Sequence, residues 1–456
     1  MSHDNLGFTS STDDLDPKRW SSSQPSKNSY DAGHGKSNVF VLELEDKKRS
    51  VQEYEEDYNP YDHRAVAHPT TSLETLLHLL KGSLGTGILA MPKAFHHSGY
   101  EYELCKRKRV PSLTYPATAE AALSVGPAPL RPLAKSSVHI INGFLLIYQL
   151  GSCCVYTVFI ATNLQMAFSS FLPKIDLRLY MLAILVPLIL VNWIRNLKFL
   201  APFSTAANCI TFISFGIILY YIFREPMSFG SREVIGNVEN FPLYFGTVLF
   251  ALEAIGVIMP LENEMKRPKM FMRTFGVLNV GMGIIVFLYT ALGFFGYMRY
   301  GKDIEGSITF NLGDPKWLAE SVQVLLAIGI FFTHAIQCYV AIDIAWNEYI
   351  APNLEKNSHK LMWEYVVRTS LVVLTFLLAV AIPQLDLFIS LFGALCLSGL
   401  GLAFPAIIHI CTFWSVCGST EKSIMLAKNM SLILFGLLGL IVGTYTSLRD
   451  IIKTFS

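Results

Sequence analysis

The chain has 456 residues, 52% of them hydrophobic and 16% charged, with a formal net charge of +1. Soluble domains carry about 25% charged residues, so this balance argues against an ordinary globular protein. Near-neutrality argues against a nucleic-acid or polyanion binder. The eight cysteines do not suggest a disulfide framework. Cys153, Cys154, Cys209, Cys338, Cys396 and Cys411 fall inside apolar runs, where a thiol serves as a small buried hydrophobe, and Cys105 sits beside a basic cluster.

Residues 1–70 are polar, rich in Ser, Asp, Asn and Tyr, and acidic between Glu43 and Asp62. Such a segment buries too little apolar surface to offset the entropy of ordering, which predicts a disordered tail. It contains no apolar core of the kind a secretory signal needs.

From Thr71 to the end, residues 71–456, apolar runs alternate with short polar connections. A run of about 18 or more nearly uncharged residues crosses roughly 30 Å of hydrocarbon as a helix. Ten spans are predicted: Leu73–Phe95, Val138–Phe168, Ile175–Ile194, Leu197–Phe223, Phe241–Met265, Phe275–Met298, Trp317–Trp346, Tyr365–Ile382, Leu385–Trp414 and Met430–Ile451. The period-two alternation of a β-barrel is missing, so the fold class is an all-α polytopic membrane protein.

Lys and Arg in short loops mark the cytoplasmic side. Lys106–Arg109, Arg195 with Lys198, Lys266–Arg273, Lys356 with Lys360, and Lys422 with Lys428 form basic connections. Basic-poor connections lie around Pro173, Ser228 and Pro383–Gln384. From the second span onward the two kinds alternate. The first span breaks the pattern, because a cytoplasmic tail precedes it and a cytoplasmic loop at Lys106–Arg109 follows it. Three resolutions are open: Leu73–Phe95 does not cross, the tail is exported, or a helix is absent between Tyr100 and Glu101. The sequon Asn429-Met430-Ser431 is predicted to lie in a cytoplasmic loop, unused.

Two spans are interrupted. The first holds Lys81-Gly82-Ser83-Leu84-Gly85-Thr86-Gly87 with Pro92 beyond. Each glycine weakens a helix by roughly 1 kcal/mol relative to Ala. A break there would aim free N–H groups and a positive dipole end at an anion such as a substrate carboxylate; the alternative is a small-residue packing face. The fifth span holds Phe250-Ala251-Leu252-Glu253-Ala254-Ile255-Gly256, then Pro260. Glu253 lies mid-span, where a carboxylate costs on the order of 2.5–3.5 kcal/mol; it is either functional or neutral and hydrogen-bonded. Paired interruptions of this kind point to a binding site at the membrane midplane. His78 lies four residues before Gly82, and titrates near pH 6.5 when unperturbed. It suits proton coupling, or a structural hydrogen bond to another helix. Nucleotide-binding loops, metal-ligand clusters and nucleophile–base arrangements are not apparent, so neither an enzyme nor a resident cofactor is expected.

At these residues the chain resembles the proton-coupled amino acid transporters of animals, within the amino acid/auxin permease group. The likeness is carried by Leu77-His78-Leu79-Leu80-Lys81-Gly82 with Gly85-Thr86-Gly87, by Phe250–Gly256 with Pro260-Leu261-Glu262-Asn263, and by Gly306–Leu312. It implies a leucine-transporter-like fold of two inverted five-helix repeats plus one helix, with helices 1 and 6 broken. It also implies symport of protons with glycine, alanine or proline, and residence in the plasma membrane or the late endosome and lysosome. By resemblance, His78 couples the proton. Gly82, Ser83, Gly85, Thr86 and Gly87 would hold the carboxylate. Phe250, Glu253, Ala254, Ile255 and Gly256 would face the amino group. The departure is a missing second helix, where Tyr100 joins Glu101 directly. That leaves an amino-acid-sensing receptor-like protein, or a transport-deficient isoform, as alternatives.

Overall fold

The computed structural model describes residues 60, 70–76, 103–111, 113–173, 175–195, 201–224, 237–251, 265–271, 275–354 and 358–455. Among them there are helices and one isolated bridge, Thr70 with Met265, but no strands.

The chain enters its first long helix in stages. Thr114 caps α1 (Tyr115–Val125) by accepting from the Ala117 N–H at 3.4 Å, and Pro116 occupies the first turn, where its missing N–H costs nothing. Pro129 and Pro132 hold the next six residues in a 3-10 turn, Ala128–Leu133. α2 (Ala134–Ala167) then runs for 34 residues. α3 (Leu177–Asn192) starts on Asp176, whose carboxylate accepts from the Arg178 N–H at 2.8 Å. α4 (Ala201–Arg224), α5 (Phe241–Ala251) and α6 (Val277–Tyr300) follow.

α7 (Lys316–Asp343) continues through a π turn at Ile344–Ile350, and α8 (Lys360–Ala381) comes next. α9 (Leu385–Phe392) and α10 (Phe404–Phe413) are joined without a break by eleven π-helical residues, Gly393–Ala403. α11 (Ser419–Leu438) passes through a shorter π turn, Gly439–Gly443, into α12 (Thr444–Phe455).

Eight of the ten expected spans have their helices among the described residues, while the first is described only to Leu76 and the fifth only to Ala251. Three details differ from expectation. α1 was not foreseen, because eleven residues are too few to register as a span. The last helix starts at Ser419 rather than Met430, because Glu, Lys, Met and Ala are good helix formers whatever their hydropathy. Lys422 and Lys428 therefore sit on a helix, not in a loop, and so does Asn429. The basic cluster is also ordered: residues 103–108 are helical, Arg107 pairs with Glu103 at 2.9 Å, and Arg109 closes the turn with φ 54°.

The packing sorts the connections onto two faces. α2, α3, α7 and α8 pack on one another as a scaffold, with α4 against α7, and α5, α9, α10 and α11 form a second group. On one face Tyr221 meets Pro315, Arg224 meets the Asp314 carbonyl, Ser170 meets Glu320 and Thr454 meets Gln384. On the other, His139 near the start of α2 meets Tyr349 in the π turn that follows α7, and Arg195 meets Glu364. This second face also carries Arg267, Lys269, Lys360 and Lys422, and is called the basic face below.

Helices approach closely where glycine permits it. A Cβ on Gly246 of α5 would collide with the Ser390 carbonyl, and one on Gly393 would collide with the Gly246 carbonyl. Backbone lies directly on backbone there, as small residues allow in membranes. All eight cysteines are free; Cys105, Cys153, Cys154, Cys338, Cys396 and Cys411 are buried, and Cys209 is exposed.

Candidate functional site

The first helix begins with a reciprocal cap. The Thr71 N–H donates to the Glu74 carboxylate at 2.7 Å, and the Glu74 N–H donates to the Thr71 hydroxyl at 3.3 Å, which satisfies two N–H groups that a helix start otherwise leaves open. Just before the cap, Thr70 bridges to Met265 in parallel, and its carbonyl accepts from the Lys266 N–H at 2.8 Å. Residues 265–271 are held at the start of α6 by the Leu278 N–H donating to the Phe271 carbonyl. The entrance of the first span and the exit of the fifth are thus bonded together on the basic face. The two spans with interrupted sequences are neighbours there.

Of the residues singled out from sequence, Phe250 is within the described structure. His78, Gly82, Ser83, Gly85, Thr86, Gly87, Glu253, Ala254, Ile255 and Gly256 lie outside the described residues. Phe250 is buried near the end of the described part of α5, with its Cβ about 3.1 Å from where a Cβ on Gly393 would stand. Its ring lies 6.0 Å from that of Tyr148 on α2, tilted by 53°.

Beside Tyr148, α2 carries polar residues that the sequence reading passed over. Gln149 and Ser152 are buried, and among the described residues neither the Gln149 Oε1 nor the Ser152 Oγ has a hydrogen-bond partner. On one flank Gly151 takes the Phe392 ring against its backbone, and on the other the Cys153 thiol lies 4.0 Å from the His334 carbonyl. The only trace of this cluster in the sequence is an uncharged polar pair inside an apolar run. Screening for charges and for glycine clusters does not find it.

A second polar cluster ties the scaffold together at the basic face. Glu364 on α8 accepts from Arg368 Nε at 3.1 Å and Nη2 at 3.0 Å, and from Arg195 Nε at 3.0 Å; Arg195 Nη2 reaches its other oxygen at 2.9 Å. The Arg368 Nη1 donates to the Asn192 carbonyl, the last of α3, at 3.0 Å, neutralising a helix C-terminus. The hydrogen bond to Glu364 holds the Arg195 guanidinium above its ordinary pKa, so it stays charged. This cluster is a structural clamp between α3 and α8.

Asn429 of the sequon is fully buried; its Nδ2 lies 2.9 Å from His409 Nδ1 and donates to the Met425 carbonyl at 2.8 Å. The sequon asparagine is thus buried on a helix rather than placed in a loop.

The family model for the transmembrane amino acid transporter proteins matches residues 108–449. The chain belongs to that family. Members move amino acids across membranes and are not enzymes. Among relatives, the proton-coupled amino acid transporter-like protein pathetic of Drosophila melanogaster is 39% identical over 428 residues, 88% of this chain and 89% of the relative. The probable amino acid transporter skat-1 of Caenorhabditis elegans is 28% identical over 345 residues, 72% of this chain and 73% of the relative. The transporter family match begins at Lys108, after the first span; the Drosophila alignment is longer.

Proposed function

We propose that this transporter binds small neutral amino acids of the glycine, alanine and proline type and moves them together with protons, the proton being its only coupling ion and no cofactor taking part. The proposed site lies between the first and fifth spans. Gly82, Ser83, Gly85, Thr86 and Gly87 offer backbone N–H groups to the carboxylate, while the stretch Phe250–Gly256 faces the amino group. His78 carries the proton, with Glu253 the next candidate. The observation that supports this reading is the hydrogen-bonded contact of Thr70 with Met265 and Lys266, which joins the entrance of the first interrupted span to the exit of the fifth. The likeness to the Drosophila proton-coupled amino acid transporter-like protein supports the coupling ion. The tail, residues 1–70, is cytoplasmic in this reading, and the membrane is the plasma membrane or that of late endosomes and lysosomes.

In proteoliposomes, glycine uptake by the chain should rise as the pH on the entry side falls toward about 6, near the ordinary histidine pKa. His78→Ala should lose that pH response and the accompanying current. Undiminished proton-driven current in the variant would refute the role of His78.

A second reading, favoured by a specific observation, is a transport-deficient form. Thr70 meets the basic face through Met265, and Gly126 packs on Cys411 near the end of α10 on that same face. Between them α1, whose Tyr115 hydroxyl donates to the Leu400 carbonyl, returns to that face through eleven residues, about 16 Å of helix against the roughly 30 Å of a full crossing. The Drosophila alignment spans 428 positions but only 88% of 456 residues, about 401, which leaves about 27 positions filled in the relative alone. One membrane helix needs about 20 residues. Restoring a second helix after Tyr100 should raise uptake at equal surface abundance; equal uptake by both forms would remove this reading.

A further inference from the structure

Gln149 and Ser152 stand one turn apart on α2, 5% and 0% exposed, each with a side-chain oxygen that has no partner among the described residues. Buried polar groups in folded proteins are nearly always hydrogen-bonded, and an orphan calls for an explanation. Two on adjacent positions of one helix face make a shared cause more economical than two accidents.

Their direction follows from their neighbours. α-Helical residues are spaced by about 100°. Tyr148 faces Phe250 of α5, and Cys153, about 140° further round, faces the His334 carbonyl of α7. Ser152 and Gln149 fall between, about 40° and 100° from Tyr148. Gly151, against Phe392, lies on the opposite side of Tyr148. The orphan oxygens therefore lie in the sector that opens from Phe250, at the edge of the proposed amino-acid site, and not toward α9.

We propose that Gln149 and Ser152 are specificity-determining residues of that site. The Gln149 Oε1 accepts an N–H of the substrate ammonium group, and the Ser152 hydroxyl donates to its carboxylate. This rests on the amino-acid-binding reading and extends it to a third helix. Both groups are neutral, so a zwitterion is received with no net charge left over. A carboxylate at Gln149 would instead favour an amino acid bearing an extra positive charge. The tilted rings of Tyr148 and Phe250 bound one side of this sector, which fits a substrate with a small side chain.

The test uses the full chain in nanodiscs and displacement of radiolabelled glycine. Unlabelled glycine is compared with N,N,N-trimethylglycine, which keeps the carboxylate but has no N–H to donate. The unsubstituted chain should prefer glycine by at least about thirtyfold, since a site built to receive a donor rejects the analogue lacking it. Gln149→Leu should weaken glycine binding by about tenfold or more and bring the two competitors within about threefold of each other. Ser152→Ala should weaken both competitors alike. Gln149→Glu should gain displacement by 2,3-diaminopropionate. The competitor ratio does not depend on how much protein is folded, so a stability defect cannot imitate the result. A ratio unchanged in Gln149→Leu overturns this inference alone, whereas failure of the unsubstituted chain to bind glycine overturns the amino-acid reading along with it.

Discussion

Glu364 is the point at which the scaffold clamp is most vulnerable. Its side chain is 7% exposed and that of Arg368 is 6% exposed, whereas Arg195 is 53% exposed. Glu364→Gln keeps the shape but removes the charge that both guanidinium groups face. Arg368 then stays buried without a countercharge, keeping the Asn192 carbonyl and the face of the Tyr339 ring, 5.9 Å away, as neutral contacts. Breaking a buried pair from one side costs about 3–5 kcal/mol, because the other charge stays behind unpaired. Losing the exposed arm through Arg195→Ala should cost only about 1 kcal/mol or less, since solvent screens it. The double change Glu364→Leu with Arg368→Met should be less harmful than Glu364→Leu alone, because neither charge remains buried. The assay is unfolding by SDS in mixed micelles, followed by tryptophan fluorescence; Trp193, bonded to Thr369 at 3.0 Å, reports on the same junction. The double-mutant cycle should give a coupling of about 2 kcal/mol or more between Glu364 and Arg368. Strict additivity, or a Glu364→Gln cost below about 1 kcal/mol, would refute the assignment of this pair as a buried clamp.

Topology can be read by labelling. In a background lacking Cys209 and Cys417, single cysteines at Leu73 and Ser124 should react with an impermeant maleimide from the same side of the membrane, and one at Ser170 from the other; opposite sides for Leu73 and Ser124 would contradict the shared basic face. Asn429→Ala should leave glycosidase sensitivity unchanged while lowering stability by about 1–2 kcal/mol, the cost of orphaning a buried partner at His409; a mobility shift on glycosidase treatment of the unsubstituted chain would show Asn429 to be exposed after all.

The sequence was most legible where one physical signal decides the outcome. A long uncharged run must be helical in lipid, and nine of the runs have helix among the described residues, the fifth as far as Ala251 and the last starting eleven residues early at Ser419. It was less legible where helices are polar or short. α1 announces itself only through Thr114 and Pro116, because small residues such as Ala119, Ala121 and Ala122 pack well without being strongly apolar. The start of α11 was hidden because Lys422 and Lys428 resemble loop residues until the Lys422 ammonium is found over the Trp414 ring at 3.8 Å. The π turns carry no sequence signal, since their register depends on what packs alongside. In the candidate site, charge and glycine clustering pointed to the first and fifth spans, but the oxygens of Gln149 and Ser152 emerge only when burial and partners are known.

The contact of Gly246 with Ser390 and Gly393 has a mechanical consequence. Interdigitated side chains must change rotamers in steps if one helix is to move along another, so such an interface behaves as a ratchet. Two bare backbones have no rotamers to reset. Translation of α5 along α9 by an ångström or so then meets little resistance on this line, while the bulkier contacts around it are the ones that must repack. Shear of this kind is one of the two common ways that packed elements change their arrangement. A methyl group at either glycine would put a tooth on a surface that is otherwise smooth.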